Sequence, residues 1–145
     1  MKCIIQRVKH AKCEIDGKIT GETEVGYMIL VGFKPEDNEL IVDKMVKKIV
    51  NLRIFEDENQ KMNLNIKQVN GKVLSISQFT LYANTNEGNR PSFANAMKPN
   101  QAIILYDSFN HKLRSEGIET ETGIFGADMQ ITLTNDGPVT IILEF

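Results

Sequence analysis

Apolar and polar positions alternate along residues 2–8 and again along 12–16, which predicts two strands near the start. The run Gly26-Tyr27-Met28-Ile29-Leu30-Val31-Gly32-Phe33 is apolar throughout and bounded by glycine, the pattern of a strand covered on both faces. The period then lengthens. Val42, Met45, Val46, Ile49 and Val50 recur at steps of three and four, with Lys44, Lys47 and Lys48 on the opposite side. Pro35 and the acids Glu36, Asp37 and Glu39 precede that stripe, a favourable first turn for the dipole, and an amphipathic helix is predicted over 37–52. A short hairpin is expected around Asp57-Glu58-Asn59. It is followed by a strand, Lys72-Val73-Leu74-Ser75-Ile76, that leads into Ser77-Gln78-Phe79-Thr80-Leu81. Residues 84–98 are polar and carry Gly88, Asn89 and Pro91; a loop of that length inside a compact domain is usually functional. A second helix starts near Pro99, a residue suited to the first helical position, and ends by Gly117. Its stripe is Ala102, Leu105, Tyr106, Phe109 and Leu113. Strands over 124–134 and 139–144 close the chain, joined through Asn135-Asp136-Gly137-Pro138. Strands outnumber helices, and most connections are too short for parallel crossovers. The expected fold is therefore α+β, a mainly antiparallel, barrel-like sheet with two helices packed on it.

Length and composition narrow the function classes. At 145 residues the chain is expected to be one domain, 1–145, burying roughly 70% of its unfolded surface. No segment approaches the roughly 20 apolar residues of a membrane span. The start lacks the apolar run of a signal peptide, so a cytoplasmic location is expected. Cys3 and Cys13 are expected to be free thiols. With His10 and His111 they give no zinc-ligand spacing, so neither a metal nor another cofactor is expected. A formal net charge of −2 argues against a general nucleic-acid coat protein. It leaves room for an enzyme that grips one end of an RNA through a local patch. Arg7, Lys9 and Lys12 form one candidate patch and Lys44, Lys47 and Lys48 another; for the helical lysines a solvated face is the simpler reading.

One step in the last strand region stands out. Proline cannot donate to a sheet ladder and normally sits at an edge, a strand start or a bulge. Gly137-Pro138 therefore presents backbone carbonyls with almost nothing covering them. An X-Pro bond adopts cis at a cost of only about 0.5–1 kcal/mol, and a cis bond would turn the flanking carbonyls toward one side. Such a surface accepts hydrogen bonds from an ammonium without using a side chain. The competing reading is a β-turn, since Asn, Asp, Gly and Pro are the usual turn residues.

Together, Ser77-Gln78-Phe79-Thr80-Leu81 and Asn135-Asp136-Gly137-Pro138-Val139-Thr140 resemble the two signature motifs of the D-aminoacyl-tRNA deacylases. The resemblance extends through Ile5-Gln6-Arg7-Val8, Arg53-Ile54-Phe55, Lys61-Met62-Asn63-Leu64-Asn65, Arg90-Pro91-Ser92-Phe93 and Ala127-Asp128-Met129-Gln130, in the family's order and over essentially the whole chain. It implies hydrolysis of D-aminoacyl-tRNA, and of glycine mischarged on alanine tRNA, with L-aminoacyl-tRNA spared. Tyr82-Ala83, which follows the first motif, differs from many members and is not read as significant.

Ester hydrolysis by a protein nucleophile needs an activated Ser, Thr or Cys beside a base. Ser77 and Thr80 supply hydroxyls, yet no histidine lies near them in sequence. Thr80 has a plainer reading as a strand residue whose hydroxyl bonds neighbouring backbone. The resemblance accounts for the missing base: the ester to the terminal ribose is labile, and the adjacent ribose hydroxyl assists its hydrolysis. Ser77, Gln78, Phe79 and Thr80 are then the catalytic segment, with backbone N–H groups at Phe79 and Thr80 stabilising the oxyanion. Gly137 and Pro138 would hold the α-ammonium so that an L side chain meets the wall. By the same resemblance Arg7 holds that motif, Met129 contacts substrate or core together with Phe125, and the Gly-Pro enters the partner subunit's pocket in a homodimer with two composite sites. Two rivals stay open. One is a non-catalytic nucleic-acid-binding module, against which the absence of aromatic stacking clusters counts. The other is a small-molecule esterase using Ser77 or Thr80.

Overall fold

The computed structural model describes residues 1–145. Eight strands and two helices follow one another: β1 (Lys2–Ile15), β2 (Lys18–Thr23), β3 (Gly26–Gly32), α1 (Glu39–Val50), β4 (Phe55–Glu56), β5 (Met62–Leu64), β6 (Lys72–Ser77), α2 (Pro99–Ser115), β7 (Thr120–Thr122) and β8 (Gln130–Glu144). The fold is α+β as expected, with a mixed sheet. β1 pairs antiparallel with β2, β3 and β8, whereas β3–β6 and β6–β7 are parallel. The connection from β3 to β6 carries α1, which gives it the length a parallel crossover needs. Along the path β2-β1-β3-β6-β7 the two outer strands curl toward each other. A Cβ on Gly21 of β2 would lie 2.6 Å from the Thr122 carbonyl oxygen of β7, so only glycine lets the barrel close this far.

Strand β3 divides the interior. Tyr27, Ile29 and Val31 point into the larger core with Val42, Met45 and Ile49 of α1 and Leu105, Phe109 and Leu113 of α2. Met28 points the other way, into a smaller cluster with Val8, Ala11, Cys13, Leu74 and Ile76 inside the barrel. Continuous apolarity in this segment thus reflects burial on both faces. Asn38 caps α1 by accepting from the N–H groups of Leu40 and Ile41 at 3.0 and 3.3 Å, a contact worth about 1 kcal/mol. The helix therefore starts later than the 37 expected, because Asp37 is occupied elsewhere: it is buried, accepting from the Met1 ammonium at 2.5 Å. Both cysteines are free and buried, and burial pushes the Cys3 thiol well up.

Three local expectations need correction. Residues 2–8 and 12–15 belong to a single strand, β1, because β8 follows it along nearly its whole length and bridges the irregular middle, and Asp16 already lies in the turn to β2. The segment after Gly17 is itself a strand, β2, which the weak alternation of Lys18–Thr23 did not announce. The strands expected over 124–134 and 139–144 are one strand, β8, which starts only at Gln130, leaving 124–129 outside the sheet, and runs through Asn135-Asp136-Gly137-Pro138 without a turn. Opposite it, β1 is already paired on both sides, and the ladder absorbs the proline as a bulge rather than reversing.

Candidate active site

That bulge is the first half of the candidate site. Gln6 pairs with Thr140 and Val8 with Asn135, so Asp136, Gly137, Pro138 and Val139 together face Arg7 alone. The Gly137-Pro138 bond is cis. Asn135 closes the gap from within: its Oδ1 accepts from the Val139 N–H at 2.7 Å, replacing the ladder partner that residue lost. Its Nδ2 donates to the Thr140 hydroxyl at 3.1 Å. No side chain donates to the carbonyl of Gly137 or Pro138, and both residues are exposed. Val139, by contrast, is buried in the larger core and pins the strand down.

Arg7 supports the bulge from below. It is only 4% exposed, and its Nε donates to the Asp136 carbonyl at 2.9 Å. Its Nη1 donates to the Ile54 carbonyl at 2.7 Å, and its Nη2 reaches Glu56 at 3.4 Å. One rigid fork therefore ties the bulge to the segment before β4.

The second half lies at the end of β6. The strand stops at Ser77, where the Gln78 N–H donates to the Val31 carbonyl at 2.7 Å, and Phe79–Tyr82 form a single 3-10 turn. Thr80 is thus not the strand residue of the plainer reading. The opening N–H groups of a helical turn find no acceptor within it, which leaves those of Phe79 and Thr80 available. The Thr80 hydroxyl accepts from Gln78 Nε2 at 2.5 Å. Neither it nor the Ser77 hydroxyl is hydrogen-bonded to a histidine or a carboxylate; His10 faces Glu22 at 3.9 Å on β2, and His111 lies on α2.

Ser77, Gln78 and Phe79 line a cleft of about 840 Å³ between the end of β6, the start of α2 and the segment before β8. Phe125 and Met129 line it too, and each also packs on a core cluster, the reading the sequence favoured for them. Met129 can sit there because residue 123 is glycine: a Cβ would lie 2.3 Å from its sulfur. Arg7, Gly137 and Pro138 are not part of the lining. The chain therefore brings Ser77, Gln78, Phe79 and Met129 together and holds Arg7, Gly137 and Pro138 as a separate unit.

Pattern reading missed one feature. Phe93, from the loop over 84–98, meets Phe79 edge to face with ring centroids 5.0 Å apart. The two rings are 39% and 57% exposed, so the chain does carry an aromatic platform at its cleft. The only signal for it was the polar loop's length, since the two residues stand fourteen positions apart.

Residues 4–144 match the family described as D-Tyr-tRNA(Tyr) deacylase. Among solved structures, a c-Myc DNA Unwinding Element Binding Protein is 39% identical, with a TM-score of 0.94 over 100% of this chain and 99% of its own. A probable eukaryotic D-amino acid tRNA deacylase, 15% identical, shares the fold with a TM-score of 0.84 over 98% of this chain and 97% of its own.

Proposed function

The chain belongs to the D-Tyr-tRNA(Tyr) deacylase family, hydrolases of D-aminoacyl-tRNA, and on that premise we propose how its two motifs divide the work. The observation that carries the reading is their separation: a cleft at Ser77-Gln78-Phe79, and the exposed Gly137-Pro138 step, whose carbonyls no side chain engages, lying outside it. A second copy of the chain supplies the missing half. In the resulting homodimer the Gly137-Pro138 bulge of one protomer enters the partner's cleft, and each site is composite. A fully active monomer in sedimentation at assay concentration would contradict this shared site.

Within the composite site the ester carbonyl is held against the N–H groups of Phe79 and Thr80, which stabilise the developing oxyanion. The neighbouring ribose hydroxyl assists, so no protein base is required. The carbonyls of Gly137 and Pro138 accept from the α-ammonium. With ammonium and ester both fixed, an L side chain is driven into the wall, a D side chain points away, and glycine has none to clash. Glycine mischarged on alanine tRNA is then a substrate for the same reason. The protein works as one domain over 1–145 in the cytoplasm.

Thr80→Ala is accordingly expected to keep its rate within about tenfold, because a true nucleophile would be worth several powers of ten. Single-turnover deacylation of D-tyrosyl-tRNA checks this. A loss of a thousandfold or more in a normally melting variant would restore Thr80 as nucleophile and, with it, the esterase reading.

A DNA-binding module is the second reading. The 39% identical relative is described as a DNA unwinding element binding protein, and the exposed Phe79–Phe93 pair is a surface on which bases stack. That activity would need no turnover, and only turnover separates the two readings.

A further inference from the structure

Strand β3 ends against the Phe79–Tyr82 turn, and its last residue is Gly32. A Cβ built on Gly32 would lie 2.9 Å from the Gln78 carbonyl oxygen, 3.1 Å from Leu81 Cβ and 3.4 Å from Leu81 Cδ1. The first of these contacts is the hard one, because a backbone oxygen cannot rotate aside as the end of a flexible side chain can. That oxygen is also engaged already: it accepts from the Leu81 N–H at 3.3 Å, the first i→i+3 bond of the 3-10 turn. The residues on either side of Gly32 hold the surroundings in place. The Val31 carbonyl accepts from the Gln78 N–H at 2.7 Å. The Phe33 carbonyl accepts from the Met97 N–H at 2.9 Å and so anchors the loop whose Phe93 meets Phe79. Val31, Gly32, Phe33, Gln78 and Phe79 all line the cleft.

We infer that Gly32 is a positioning residue for the oxyanion donor at Phe79, an inference that rests on the mechanism proposed above. The Gln78 carbonyl and the Phe79 N–H are the two ends of one planar, trans peptide unit. In such a unit the oxygen and the hydrogen point opposite ways, so the seat of the oxygen on Gly32 fixes the direction of the N–H. A side chain at position 32 pushes the oxygen off β3 and turns the N–H with it. An oxyanion donor is worth most when it is already aimed and has no need to move as charge develops. The carbonyls of Gly137 and Pro138 lie outside this contact. Gly32 therefore acts on the chemical step, and neither on binding nor on the choice of hand.

The test measures kcat and KM on D-tyrosyl-tRNA, with a melt, for Gly32→Ala and for Gly71→Ala as a packing control. Gly71 is buried outside the cleft, and a Cβ there would lie 2.8 Å from Ile66 Cγ1. Both variants should melt within about 10 °C of the parent. For Gly32→Ala, kcat should fall about a hundredfold, the effect of losing one oxyanion donor, with KM within about threefold of the parent. The ratio of D to L hydrolysis should stay that of the parent, and Gly71→Ala should keep the parent's kcat. Should Gly32→Ala fail to fold, Gly32→Ala/Leu81→Ala carries the same comparison against Leu81→Ala, because losing the Cδ1 contact leaves the turn room to yield. An unchanged kcat in the folded variant would overturn the inference. So would a raised KM alone, which would mean that the methyl merely fills the cleft, or an equal loss of kcat in Gly71→Ala. If the parent protein does not hydrolyse D-tyrosyl-tRNA, the deacylase reading itself falls, and that result is visible before any variant is compared.

Discussion

Arg7→Ala is expected to melt about 10 °C below the parent protein and to lose most of its D-aminoacyl-tRNA deacylation. The ion pairs with Glu56 and Asp136 contribute little, because both carboxylates are partly exposed. The larger effect comes from the carbonyls of Ile54, which is buried, and Asp136, which is partly buried, since both lose their donor. An orphaned buried acceptor costs about 1–3 kcal/mol, and the lost packing of a nearly buried arginine adds to it. A total of about 3–5 kcal/mol follows. Arg7→Lys should recover only part of this, since one ammonium cannot reach both carbonyls in the geometry of the fork. Calorimetry on the three proteins measures the ladder. Should Arg7→Ala melt within about 2 °C of the parent, the arginine is not what ties the bulge to the segment before β4.

Gly137→Ala acts on the same bulge from its other side. Gly137 has φ of +133°, a region L side chains rarely adopt. A Cβ built there would lie 2.8 Å from Val139 Cγ2 and 3.2 Å from Arg7 Nη2. Val139 is fixed in the core and Arg7 is fixed by its carbonyls, so neither neighbour gives way cheaply. The backbone of 136–138 must shift instead, taking the two exposed carbonyls with it. The expected cost in stability is moderate, about 1–3 kcal/mol. A functional cost accompanies it: the ratio of D to L hydrolysis should fall by at least about tenfold, the effect of losing roughly 1.4 kcal/mol of discrimination. Paired rates on D- and L-tyrosyl-tRNA, with a melt alongside, check it. A variant that melts normally and discriminates like its parent would show that the bulge does not select the substrate's hand.

What could be read from the sequence, and what could not, divides along physical lines. Both helices were legible because their stripes are dictated by local spacing: Val42, Met45, Val46, Ile49 and Val50 on α1 are all buried. So was β3, whose glycine-bounded run leaves no solvent face. The single strands β1 and β8 were not, since each is kept continuous by the other across irregular residues that read locally as breaks. Gly137-Pro138 was legible as an unusual step, but local chemistry favours a turn there, and only the pairing of Gln6 and Val8 forces a bulge. Ser77–Thr80 was legible as a motif, while its change from strand to 3-10 turn at Gln78 comes with the bond to Val31. A long-range contact also made the Phe79–Phe93 platform, which no short window along the chain contains.

The proposed site turns over its substrate stereoselectively and without a metal. The most direct measurement is the release of tyrosine from D-tyrosyl-tRNA and from L-tyrosyl-tRNA, side by side, with EDTA present. Multiple turnovers are expected on the D ester, unaffected by EDTA, with the L ester hydrolysed slower by about two orders of magnitude or more. Equal rates on the two esters, or tight binding without release of tyrosine, would contradict it.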